Sequence, residues 1–183
     1  MRRGLRALAI VACAWRLGAQ EVGPAVVKLA DGTSLPLVPW SLSYEYAAWN
    51  RGSEPGTSPQ RTDARELRLG KKTYPVSGSV LAIEYEEVTR SGDDGQSQKV
   101  PVPRSLTLTG SDGKRTTLKP EPPARELLAP GADKNLLVQP RSLDLRGRTL
   151  TGTQREFCLL SFTALIECNV TSGQQVVRIE FPK

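Results

Sequence analysis

Apolar and polar residues alternate with period two along most of this chain, a pattern that predicts strands rather than helices. The stretch "WSLSYEY" shows it most plainly. Trp40, Leu42, Tyr44 and Tyr46 fall on one face, and Ser41, Ser43 and Glu45 fall on the other, as in a strand buried on one side. "SVLAIEYEEV" groups Leu81, Ile83 and Tyr85 in the same way. Turn signals separate such runs. Asp31-Gly32 and Asp112-Gly113 each put a glycine, which accepts positive φ, between two β-rich segments, the mark of a tight hairpin. "ELRLGKKTYPV" predicts a further hairpin around Gly70 to Thr73. "EPPARELLAPGADK", bracketed by Pro123 and Pro130, is the best place for a short helical turn. "NLLVQPRSLDLRGRTL" reads as one or two strands and "QQVVRIEF" as the last. Residues 50–62 and 89–98 are rich in Gly, Ser and other polar residues without apolar periodicity, and read as exposed loops.

About ten to twelve short strands and at most one short helix predict an all-β fold. The expected architecture is a single, mostly antiparallel β-sandwich, with a β-barrel as the alternative. The 14 prolines fit edge strands and loops better than long helices.

The first residues change the picture of compartment and charge. "MRRGLRALAIVACAWRLGAQ" runs from a basic start through a short apolar stretch to small residues before Gln20, the layout of a secretory signal peptide. Residues 1–19 are therefore expected to be a leader and residues 20–183 one β domain. The apolar stretch is too short to span a bilayer. A second reading takes "IVAC" as a lipoprotein signal acylated at Cys13. The chain carries 25 basic and 19 acidic residues, but four of the arginines lie in the leader, leaving 21 against 19 and a net charge of +2. Both signs interleave through the rest, so no concentrated basic face for nucleic acid is visible.

In "FCLLSFTALIECNV" the even positions from Cys158 to Val170 are all apolar, which favours strand. A reversal near Phe162-Thr163-Ala164 would set Cys158 opposite Cys168, at the separation of about 4.5–5.5 Å that a disulfide accepts; a reversal at "TSGQ" leaves a bridge possible too. Within one helix the same pair would be roughly 15 Å apart. An even pair of thiols beyond the leader suits an exported protein, so Cys158 and Cys168 are read as a structural disulfide.

No histidine occurs in the chain, which excludes Ser-His-Asp, Cys-His and histidine-ligated metal chemistry. Two cysteines without histidine make a poor zinc site, and "GDDG" at Gly92 to Gly95 reads as a turn rather than a calcium loop. Ser111 and Lys114 match S-x-x-K only across a hairpin turn, so they too read as a turn. Glu84 and Glu86 form the only dense acidic cluster with Glu87; they lie opposite the apolar face and read as solvated strand charges. Asn169 begins a glycosylation sequon. No catalytic residue, metal or cofactor is expected.

The expected role is an exported, non-enzymatic structural or interaction module, periplasmic or extracellular, with a protein or glycan partner at the cell envelope. A second reading makes it a carbohydrate- or peptide-binding module that uses Trp40, Tyr44, Tyr46 and Trp49 as an aromatic surface. A third, a carboxylate-based hydrolase, needs Glu84 and Glu86 to flank a concave pocket.

Overall fold

A computed structural model describes residues 23–54, 59–91, 95–163, 168 and 174–183. The leader, Cys13 and the Asn169 sequon lie outside the described residues. Eleven strands and one short helix are described: β1 (Ala25–Leu29), β2 (Ser34–Asn50), β3 (Gln60–Ala64), β4 (Glu66–Leu69), β5 (Lys72–Pro75), β6 (Val80–Ser91), β7 (Ser97–Thr109), β8 (Arg115–Leu118), α1 (Arg125–Leu128), β9 (Leu136–Thr149), β10 (Gln154–Ser161) and β11 (Val176–Glu180).

The three hairpin turns form where the sequence predicts them. Gly32, Gly70 and Gly113 take φ of 87°, 53° and 79°, the left-handed region that disfavours a β-carbon. At two of these turns an aspartate accepts a backbone N–H two residues on, Asp31 from Thr33 and Asp112 from Lys114. The short helix also falls where expected.

All described strand pairs are antiparallel. The main sheet runs β10-β9-β2-β1-β11-β6-β7-β8, with β3 added to β2, and β4-β5 form a separate hairpin layer. The described strands do not close, so the fold is an all-β, sandwich-like domain and not a barrel.

One strand organises the sheet. Along one edge of β2, residues 34–37 pair with β1 and residues 42–46 pair with β3; its other edge pairs with β9 from Leu37 to Asn50. The β2–β9 register skips between Leu37 and Trp40 around the cis Val38–Pro39 bond. Gly147 of β9 faces that corner. A β-carbon there would come within 2.8 Å of Leu37 Cβ and 2.9 Å of the Pro39 carbonyl oxygen, so the two backbones approach this closely only because the residue is glycine.

One core joins both parts of the sheet to the β4–β5 layer: Val27, Leu37, Leu42, Tyr44, Leu67, Leu81, Leu106, Leu128, Leu145, Leu160 and Ile179 belong to a single buried cluster.

Three expectations need correction. The 50–62 segment is not all loop, because β2 continues to Asn50 and β3 begins at Gln60. The 89–98 segment likewise holds the end of β6 and the start of β7. The strand ends in both stretches carry no buried apolar face, so no alternation marks them. Strict alternation also fails at Cys158, where a bulge between Cys158 and Leu160 buries Leu159 and Leu160 together.

Candidate functional site

The four aromatic residues named from the sequence do not share an open face. Tyr44 is fully buried and Tyr46 nearly so. The Tyr44 hydroxyl donates to the Arg68 carbonyl at 2.8 Å and accepts the Arg68 N–H at 2.7 Å. It thereby closes both backbone groups of a β4 residue. Its ring stacks near Phe162, with centroids 6.4 Å apart. Half-buried Trp40 lies 5.3 Å from the Phe181 ring and donates Nε1–H to the Gly23 carbonyl. Trp49, half-buried near the end of β2, is opposite Leu137.

Glu84 and Glu86 are exposed, and a register shift falls directly after Glu84. Glu84 accepts the Ser105 hydroxyl at 2.7 Å. Ser111 and Lys114 are exposed at the β7–β8 turn, as the sequence predicts. Among the described residues, no group of three or more acidic or cysteine side chains is placed to hold a metal ion.

Cys158 and Cys168 stand at disulfide distance, with Cα atoms 5.2 Å apart and a sequence separation of 10. Closing a loop of this length contributes about 2.5 kcal/mol through the entropy of the unfolded chain. Reduction is therefore expected to lower unfolding stability by about that amount, measured by urea titration with and without reductant; an unchanged midpoint would show that the bridge contributes nothing.

Lateral pairing also assembles a polar face that the sequence does not announce. The registers set Asp63, Ser43, Asp144 and Cys158 in one row across β3, β2, β9 and β10. Beside that row Arg61 pairs with Glu45 at 2.8 Å, Arg141 approaches Glu45 at 3.9 Å, and Arg146 pairs with Glu156. These side chains cover the sheet: Ser43, Ser142 and Asp144 are buried although they lie opposite the aromatic core face. Asp144 is 5 % exposed and accepts the Ser142 hydroxyl at 3.0 Å. Burial, helped by the charges of Glu156 and Glu45, pushes its carboxyl up to about 6, against the opposing effects of Ser142 and Arg61. The sequence signal, visible only in hindsight, is Ser142, Asp144 and Arg146 alternating on one side of β9.

A surface cleft of about 250 Å³ opens elsewhere, between the β4–β5 hairpin and β8. Lys71, Lys72 and Lys119 line it together with Tyr74, and Glu121 is its one acidic side chain. None of the three lysines has a carboxylate within ion-pair distance among the described residues. The Ala124 N–H donates to the Gly70 carbonyl at 2.6 Å, tying the segment after β8 to the hairpin turn. Glu84, Glu86 and the aromatics of β2 take no part in it. Compared with known proteins, the chain matches no family model, no curated protein and no solved structure.

Proposed function

We propose that the chain is an exported, non-enzymatic interaction module of the cell envelope or extracellular space, whose ligand is an acidic saccharide held in the cleft between the β4–β5 hairpin and β8. The observation that carries this reading is the convergence of Lys71, Lys72 and Lys119 on one concavity beside Tyr74. Three lysines against Glu121 give the described lining an excess of positive charge, which an anion seated in the cleft would offset. Tyr74 is half-buried, packed against the core and also in contact with the cleft. An aromatic ring so placed offers a sugar an apolar face, while the lysines take its carboxylates.

Export is supported by the basic, apolar and small-residue succession in residues 1–19 and by the cysteine pair beyond it. Intact mass of the protein from its native host, with and without reduction, reads the cleavage site, any acyl group at Cys13 and the oxidation state together. An untrimmed, reduced chain would remove the export reading.

Binding is tested by calorimetric titration with carboxylated oligosaccharides against neutral ones of equal length. The acidic series is expected to bind and to weaken as salt rises. Lys72→Ala and Lys119→Ala are each expected to weaken binding about three- to tenfold. Equal affinity for neutral sugars, or variants that bind unchanged, would overturn the assignment of the cleft.

A further inference from the structure

The β6–β7 hairpin outruns the sheet that carries it. β6 pairs with β11 only from Val80 to Ala82, and β7 pairs with β8 only from Leu106 to Thr109. Beyond those points β6 and β7 pair with each other as far as Ser91 and Ser97, and no other described strand joins them. Among the described residues the result is a two-stranded ribbon with two unpaired edges, a form that is marginal by itself in water and open to strand addition.

The two edges differ. On β7, Pro101 and Pro103 lie opposite Glu87 and Tyr85. Proline has no N–H, so it fits an antiparallel ladder only where that group points away from the partner. Pro101 and Pro103 therefore turn their nitrogens outward and block the outer edge of β7. The β6 edge has no such block. The Ser79 carbonyl accepts the Phe181 N–H on the β11 side, which fixes the alternation: backbone groups of the odd-numbered residues of β6 point toward that side. Tyr85, Glu87, Thr89 and Ser91 thus turn their N–H and C=O groups to an edge that holds no proline and that no described strand covers.

We infer that this edge pairs with the same edge of a second copy, antiparallel about a two-fold axis through Val88. In that register Tyr85 faces Ser91 and Glu87 faces Thr89, all with outward-pointing backbone groups, so the ladder bonds form. Glu86 of each copy then falls opposite Arg90 of the other, in the closer, non-hydrogen-bonded type of pair. Neither Glu86 nor Arg90 has an ion-pair partner within the described residues of its own chain. The charge pattern selects this register over its neighbours. Sliding by one ladder step in one direction sets Glu87 against Glu87 and gives Arg90 only Glu84, which already accepts the Ser105 hydroxyl; sliding in the other sets Arg90 against Val88 with no charge pair. The contact is isologous, so it closes at two copies, and the paired ribbons then present only their proline-blocked β7 edges.

Sedimentation velocity across a concentration series tests the pairing. The wild-type protein is expected to show a concentration-dependent dimer. Thr89→Pro removes one outward N–H and leaves the β7 side of the ladder untouched; it is expected to abolish the dimer. Glu86→Arg alone and Arg90→Glu alone set like charges opposite one another, and each is expected to weaken association about tenfold or more. The double variant Glu86→Arg/Arg90→Glu restores both pairs and is expected to dimerise as the wild type does. All three positions of this test lie on exposed or half-exposed ribbon, and circular dichroism checks that each variant is folded. A monomeric wild type, a Thr89→Pro protein that still dimerises, or a double variant that does not recover would overturn the inference.

Discussion

Replacing Tyr44 by alanine is expected to destabilise the domain by roughly 4 kcal/mol, within the range for deleting a large buried aromatic side chain. Two effects combine. The ring is fully buried and stacks near Phe162, so its loss opens a cavity between the main sheet and the β4–β5 layer. The hydroxyl also serves both backbone groups of Arg68, and these lose their partner at a partly buried position. Tyr44→Phe separates the contributions. It keeps the ring and removes the hydroxyl, and is expected to cost about 1–3 kcal/mol. Urea unfolding of both variants checks the ledger. Equal stability of Tyr44→Phe and wild type would mean that the Arg68 backbone finds another partner.

Asp144→Asn is expected to stabilise the protein at neutral and higher pH, by up to about 3 kcal/mol. The carboxyl rises from 3.8 to about 6 on folding, and each pKa unit corresponds to about 1.4 kcal/mol. A raised acid pKa means that the folded state holds the proton more tightly than the unfolded chain. Between about pH 4 and 6 the folded state binds the excess proton, so wild-type stability falls as pH rises through that window. Above it the buried carboxylate is charged and its full penalty stands; below pH 4 both states are protonated and the penalty is absent. Asparagine accepts from Ser142 without ionising. The difference between variant and wild type should therefore grow from pH 4 to 6 and level off above, read as the urea midpoint at each pH. A difference independent of pH would show that folding leaves the Asp144 carboxyl with its ordinary proton affinity. In a 183-residue chain, 3 kcal/mol corresponds to a Tm shift of roughly 6–12 °C.

What could be read along the chain was whatever depends on near neighbours. The Asp-Gly hairpins, the Gly70 turn, the buried face of Trp40 to Tyr46 and the helical turn between Pro123 and Pro130 all rest on local turn chemistry or a short period. What could not be read depends on which strand lies beside which. β3 is held by its pairing with β2 and by the Arg61–Glu45 ion pair rather than by an apolar face of its own; by itself "QRTDA" has no strand signature. Asp144 resembles any solvent-facing strand carboxylate until Ser43, Glu45, Glu156 and Arg61 are placed around it by three lateral registers. The lysine cleft joins residues 71 and 72 to residue 119, and no sequence window of a single element contains them. The bulge after Cys158 shifts one residue inward, which alternation cannot foresee since it assumes an unbroken pleat.

The double engagement of β2 has a bearing on how the domain comes apart. With one flank divided between β1 and β3 and the other held by β9, neither wing of the sheet can peel away while leaving the other whole. Stripping off the β1 side unsupports the Leu37 corner, and stripping off the β3 side bares the row containing Asp144. The strand works as a common hinge pin, and the described sheet is expected to melt in one step rather than wing by wing.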